Sequence, residues 1–365
     1  VKVLAICETI DFQNFTRRYT TEALGRANVE TTALCHTHVQ NLFRTKLFSR
    51  FLKVTCYYGI IPFDIKRGIL RKVEYLIKFR WQKFFKKFDI IIISSPNQNY
   101  FLDFISSEQK VVYLISDPYY LMNYSRDKEL EILKRAELIL ATSKNLANKY
   151  VQKYYKIDRI CEIFYWPNSV EIDVWRPEKQ CNKTDVKKPI IGFAGNFMKL
   201  LDLLLLEKVV KTFEHCQIVL CGKITYNQNG FKASLNKILQ YPNVTYKGLI
   251  PYSELPREVK QWDVCIMLDD LSELSSYHHH NKLYQYLALG KPVVAQRNHD
   301  DHNILSDIIY LSDTHEEYLW NLKRALSEQF NCELYERRIT AGVENSADVR
   351  AQQLVTKLIN LCSLA

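Results

Sequence analysis

The sequence predicts an α/β chain built as two tandem units, each a parallel sheet wrapped by helices. Three observations carry that expectation. Apolar β-branched runs alternate with helix-period segments through the first half, a polar run bracketed by Trp and Pro interrupts them, and the same alternation then begins again. A length of 365 residues allows two such units, and a hydrophobic content of 47% is ample for two cores.

The first unit opens on Val1–Cys7, and further strand-like runs follow at Glu30–Cys35, Ile90–Ser94, Val111–Ile115, Leu138–Ala141 and Cys161–Tyr165. Helical patterns lie between them at Arg17–Ala27, Gly68–Lys87, Arg126–Arg135 and Lys144–Tyr155, with Ser143 placed to cap the last. Trp166-Pro167-Asn168-Ser169 and Trp175-Arg176-Pro177 then bracket a polar run reaching Lys188, which reads as a domain boundary. The division expected is a domain over 1–170, a linker over 171–188, a second domain over 189–345 and a closing segment over 346–365. Strands of the second domain are Ile190–Ala194, Gln217–Cys221, Val244–Tyr246, Val264–Leu268, Pro292–Ala295 and Ile308–Leu311. Helices at Leu200–Phe213, Phe231–Gln240, Tyr252–Gln261 and Asn281–Leu289 connect them, and Ser346–Leu361 forms a last amphipathic helix.

The stretch His278–Ala295 (HHHNKLYQYLALGKPVVA) organises the second domain. Leu283, Tyr286, Leu287 and Leu289 fall roughly on one helical face, Gly290 supplies a left-handed stop, and Pro292-Val293-Val294-Ala295 continues as a buried strand. Ligands of open α/β sheets sit where strand ends meet helix N-termini. The polar cluster His278, His279, His280, Asn281 and Lys282 is therefore aimed at such an edge.

Bulk properties narrow the function. The chain as given opens on a strand with no secretory n-region, and no apolar window is long enough to span a membrane. Ten cysteines are scattered without a C-x-x-C pair, and Cys7, Cys221 and Cys265 sit in apolar runs as small hydrophobes, so a cytoplasmic protein is expected. The net charge of +10 concentrates between Arg44 and Lys87, where basic residues interleave with Phe, Leu, Tyr and Trp. No helix-turn-helix, zinc or RNA-binding signature accompanies that charge, which argues against nucleic acid.

Lys282 to Val294 (KLYQYLALGKPVV) resembles the nucleotide-sugar signature of GT-B glycosyltransferases, K-L-x-E-Y-L-A-x-G-K-P-V-V. The resemblance extends to Ile191–Gly195, Gln217–Gly222, Asn243–Gly248 with Leu255-Pro256 and Trp262-Asp263-Val264, and Trp166–Val170. It covers about half of the chain closely, and bacterial transferases of surface polysaccharides, including those of teichuronic-acid type, are the relatives it points to. It implies two Rossmann-like domains facing across a cleft, an acceptor domain first and a nucleotide-sugar donor domain second, with the C-terminal helix crossing back to the N-terminal domain.

The roles it implies fall on particular residues. Lys282 would clamp the leaving diphosphate together with the helix amides, no metal being required. Lys199, ahead of the Leu201–Leu205 helix start, is a second phosphate candidate, with Asn196 near it and Gly195 and Gly222 in the two glycine turns. Backbone groups of Leu249 and Ile250 would meet the base. Gln285 and Tyr277 stand where such enzymes usually carry glutamates, so donor binding is expected to differ. Three consecutive histidines do not share a helical face and have no spaced carboxylate, so His279 and His280, with Asn281, read as donor contacts and not as metal ligands. A general base, if the reaction inverts, falls first on Asp117 at a strand end, then on Glu8 and Asp11.

The function expected is sugar transfer from a nucleotide-sugar to a lipid-linked saccharide acceptor in bacterial surface polysaccharide or glycolipid synthesis. The basic stretch with Trp81, Phe84, Phe85 and Phe88 would dock on anionic lipid at the inner membrane face, at roughly 1 kcal/mol per basic residue. Alternatives are a nucleotide-sugar-binding module without catalysis and a sugar-nucleotide epimerase of the same fold.

Overall fold

A computed structural model of the chain describes residues 1–7, 21, 24, 25, 27, 29–36, 54–59, 81–156, 161–177, 188–298, 300–328 and 331–363. The chain divides into two compact units, Val1–Pro167 with Ala347–Ala365, and Asn168–Ser346.

The first unit is built on seven parallel strands: β1 (Lys2–Cys7), β2 (Glu30–His36), β3 (Val54–Gly59), β4 (Ile90–Ile93), β5 (Lys110–Ile115), β6 (Leu138–Ala141) and β7 (Glu162–Tyr165). Their order is β3-β2-β1-β4-β5-β6-β7, so the winding direction reverses between β1 and β4. A parallel sheet covered on both faces needs apolar residues throughout, not in alternation. Ile90–Ile93 and Leu138–Ala141 are accordingly buried at every position. Helix α1 (Arg126–Arg135) begins at its Ser125 cap and carries Asp127 and Glu129 in the first turn and Lys134 and Arg135 in the last, as the helix dipole favours. The segment read as one helix from Lys144 is instead a π turn, Leu146–Tyr150, running into a short α-helix, Val151–Tyr155. Ser143 still caps it, its hydroxyl accepting from the Leu146 amide at 3.1 Å.

Strand β3 falls inside the basic stretch and was not foreseen, because charge and aromatic content mask its short β-branched run. The lipid-docking aromatics need correcting. Phe85 and Phe88 are buried, and Trp81, Phe84 and Phe85 pack edge-on or tilted against one another and against Phe101 and Phe104. Lys83, Lys86 and Lys87 are exposed. Glu8, Asp11, most of the Arg17–Ala27 helix and the basic stretch outside 54–59 and 81–87 lie outside the described residues.

The second unit holds six parallel strands: β8 (Ile190–Ala194), β9 (Gln217–Cys221), β10 (Val244–Gly248), β11 (Val264–Ile266), β12 (Val293–Gln296) and β13 (Tyr310–Ser312). Their order is β10-β9-β8-β11-β12-β13, with the reversal between β8 and β11. The principal helices are α2 (Leu203–Thr212), α3 (Asn229–Ile238), α4 (Asn281–Ala288), α5 (His315–Leu326) and α6 (Cys332–Glu344). Asp202 caps α2 through its side chain, which makes that helix start later than its apolar pattern. Helices α5 and α6 were not foreseen. Helix α4 is buried from Leu283 through Ala288, and Gly342 of α6 approaches so closely that an added Cβ would lie 2.6 Å from the Ala288 Cα. Gly290 has φ +70°, the left-handed stop expected of it.

The last helix, α7 (Ala347–Ser363), belongs to the first unit. Ala347, Ala351, Leu354 and Leu358 share a helical face and join the core of Val3, Ile90, Ile92 and Val112. The Trp166 indole donates to the Arg350 carbonyl at 3.0 Å, tying β7's end to that helix. No helix among the described residues is long and apolar enough to cross a membrane.

Candidate donor site

The site lies at the C-terminal edge of the second sheet and is framed by two glycine turns. β8 ends at Gly195 and β9 at Gly222, which has φ +143°. The Gly195 amide donates to the Cys221 carbonyl at 2.9 Å and the Gly222 amide to Gly248 at 2.7 Å, so three successive turns are laced together. The Tyr246 hydroxyl donates to the Gly222 carbonyl at 2.8 Å and pins the middle turn.

Into this edge comes the N-terminus of α4. Its N-cap residue, His280, makes no side-chain cap, so the first-turn amides keep their donor capacity. The Lys282 ammonium stands 4.8 Å from the Phe193 ring centroid and 3.7 Å from where a Cβ on Gly195 would be. It lies 3.7 Å from the Asp269 carboxylate, which His280 Nε2 approaches to 3.1 Å. A cation held by a ring face and one carboxylate, beside glycine turns and a helix N-terminus, is an arrangement able to attract an anion such as a phosphate.

Behind these groups His302 is 3% exposed, its Nδ1 3.4 Å from the Gln296 carbonyl. Burial pushes its imidazole down to about 4, the neighbouring His280 adding to the effect and Asp269 opposing it. Burial likewise lowers His280, again against Asp269. Both rings are therefore neutral at pH 7, and Lys282 and Asp269 form a charged pair at this edge. Two buried acceptors, Asn281 Oδ1 and Gln296 Oε1, have no hydrogen-bond donor among the described residues.

Structural supports surround the edge. The Tyr286 hydroxyl, inside α4, accepts from the Ala194 amide at 2.9 Å, and Tyr318 donates to the Met267 and Val294 carbonyls at 3.0 and 3.1 Å. Lys291, in the signature's Gly-Lys-Pro, donates to the Lys260 and Trp262 carbonyls and is a structural strut.

The expected residues are distributed unevenly. Lys282, His280, Asn281 and Gly195 come together, with Gly222 in the adjoining turn. His279 stacks on Tyr284 at 5.5 Å, and its carbonyl accepts from Asn168. Tyr277 is buried and donates to Glu273 at 3.1 Å, and Gln285 is buried within α4. Asn196 and Lys199 are exposed on the loop after β8. Leu249 is exposed while Ile250 packs on the core. Asp269, Gln296, His302 and Phe193 were missed. Asp269-Asp270 directly after an apolar strand was the one legible signal.

Asp117 belongs to the first unit, half-buried after β5, where the Ser116 hydroxyl donates to it at 2.8 Å. Tyr119 lies 2.8 Å from Ser116 Oγ and donates to the Ser94 carbonyl, while Ser94 donates to the Ile6 carbonyl at 3.0 Å. The ends of β1, β4 and β5 are thus joined by one polar chain that leads to Asp117. Among the described residues no three His, Cys, Asp or Glu side chains are grouped to hold a metal ion.

No protein-family model matches the chain. A Bacillus subtilis (strain 168) protein described as a teichuronic acid biosynthesis glycosyltransferase, TuaH, is 26% identical over 173 residues, 46% of this chain and 42% of that protein. The match thus spans less than half of the curated relative's length. Sucrose-phosphate synthase from Thermosynechococcus elongatus has a TM-score of 0.74 at 14% identity and 100% coverage of both chains. Anabaena HepE, solved in complex with UDP-glucose, has a TM-score of 0.72 at 11% identity over 98% of this chain and 99% of its own. Two doubly wound parallel sheets, matched along their full length by these structures, give the chain the GT-B fold, with glycosyltransferases as its structural neighbours.

Proposed function

We propose that the chain is a glycosyltransferase that binds a nucleoside-diphosphate sugar at the edge of its second unit and transfers the sugar to a saccharide. The observation that carries this reading is the Lys282 ammonium, held over Phe193 beside Gly195 at the uncapped start of α4. In such a transfer the bond from the anomeric carbon to the diphosphate breaks while an acceptor hydroxyl attacks that carbon. Lys282 and the helix amides would stabilise the charge developing on the leaving diphosphate, and no metal would be needed. In an inverting reaction Asp117 would take the acceptor's proton. HepE binds UDP-glucose, which makes a uridine donor the first to try.

The acceptor reading is a saccharide of cell-surface polysaccharide or glycolipid synthesis, carried on lipid at the inner membrane face. TuaH's description supports the pathway class. Exposed Lys83, Lys86 and Lys87 would supply a contact by charge alone, since Phe85 and Phe88 are inside. Charge reversal at the three lysines should then abolish sedimentation with anionic liposomes; unchanged sedimentation would end the membrane reading.

The test of transfer is single-turnover incubation with radiolabelled UDP-glucose and GDP-mannose in the presence of bacterial lipid-linked saccharide extract. Label moving to an acceptor supports the enzyme. Binding of a donor without transfer or hydrolysis would identify a silent module.

A further inference from the structure

Asp269 stands against the ordinary logic of a phosphate site. Its carboxylate is 11% exposed and lies 3.7 Å from the Lys282 ammonium. An incoming diphosphate at Lys282 would meet that negative charge within a few ångströms, a range at which like charges repel strongly away from bulk water. His280 does not offset it, because burial favours the neutral ring, and the same holds for His302 behind it. A site serving only to hold a diphosphate gains nothing from this carboxylate.

The surroundings give it another partner. A carboxylate accepts hydrogen bonds through both its oxygens, and the Lys282 and His280 contacts are made to Oδ1 of Asp269. Asn281 begins the helix that carries Lys282. The Gln296 carbonyl lies 3.4 Å from His302 Nδ1. Asp269 thus sets an acceptor beside the Lys282 cation, which suits a molecule presenting hydroxyl donors next to a diphosphate.

We propose that Asp269 is a specificity-determining residue that discriminates the nucleotide-sugar from the bare nucleoside diphosphate. In the empty site it holds Lys282 and His280. A bare diphosphate is repelled by it, whereas a conjugated donor brings sugar hydroxyls that donate to the carboxylate and offset the repulsion. The same charge favours departure of the nucleoside diphosphate once the sugar has left. This inference rests on the donor-site reading of the preceding subsection.

The test is calorimetric titration of the full chain with UDP and UDP-glucose, and with GDP and GDP-mannose, on the parent and on Asp269→Asn. The amide keeps the shape and removes the charge. The variant should bind the bare diphosphate several-fold more tightly, and the affinity ratio of conjugate to bare nucleotide should fall by about tenfold. An unchanged ratio, or weaker binding of both ligands in proportion, overturns the proposal. A parent that binds none of the four ligands overturns the donor reading itself, a distinct result. If Asp269→Asn fails to fold by circular dichroism, Asp269→Glu replaces it. That variant should keep the repulsion of bare diphosphate and lose sugar discrimination, and full discrimination in it would contradict the assignment.

Discussion

Gly222 presses against Gly195 so closely that a Cβ on Gly222 would stand 1.8 Å from the Gly195 carbonyl oxygen. With φ at +143°, Gly222 also occupies backbone space closed to other residues. Gly222→Ala should therefore cost more than about 2 kcal/mol in chemical denaturation. It should also weaken nucleotide binding more than its loss of stability explains, because the turns themselves frame the phosphate edge.

Glu129 is fully buried in the first unit and receives hydrogen bonds from Tyr113 at 3.0 Å, Tyr150 at 3.1 Å and Tyr155. Burial raises its carboxyl to about 7, with the phenol donors pulling the other way. The folded state then holds a proton that the unfolded state releases near 4.5. Stability from this group is full below about 4.5 and falls as pH rises to about 7, by on the order of 3 kcal/mol in all. Glu129→Gln should flatten that part of the stability curve; a slope identical to the parent's would count against a buried protonated carboxyl.

His302 pushes the opposite way in the second unit. Its imidazole, lowered to about 4, resists protonation that the unfolded chain accepts near 6.5. Stability is therefore full above about 6.5 and declines as pH falls toward 4, by on the order of 3 kcal/mol. Hydrogen exchange followed between pH 4 and 7 should show the first unit gaining protection in acid while the second loses it, once intrinsic exchange rates are corrected.

Arg338 is buried at 1% exposure and forks onto Glu328 at 2.7 and 2.8 Å, with its Nε donating to the Ile308 carbonyl at 2.9 Å. Removing one partner leaves the other charge unpaired. Arg338→Ala should cost about 3–5 kcal/mol in urea unfolding, while the Arg338→Met/Glu328→Leu pair should recover much of that loss.

Legibility in the sequence followed locality. β8 and β9 were readable to the residue because their apolar runs end at glycine turns, and α1 because Ser125 and its charge order mark both ends. The α4–Gly290–β12 unit was readable for the same reason, and it led directly to Lys282. What escaped depends on contacts distant along the chain. Asp269 acquires meaning only when α4 brings His280 and Lys282 to it, and Glu129 looks like a solvated helix residue until three tyrosines from β5 and the Leu146–Tyr155 segment enclose it. Phe85 and Phe88 read as membrane anchors because spacing alone does not reveal that Phe101 and Phe104 lie across from Phe85 or that Phe88 is buried beside Phe84.

The central claim is that Lys282 clamps a diphosphate, and thermal unfolding of the full chain with saturating UDP, GDP or CDP tests it most directly. At a hundred times its dissociation constant a ligand stabilises the folded state by about 2.7 kcal/mol. One nucleoside diphosphate should raise the parent's Tm, and Lys282→Ala should lose that rise while melting unliganded within a few degrees of the parent. A parent unmoved by every nucleotide, or a variant stabilised as fully as the parent, would contradict the account.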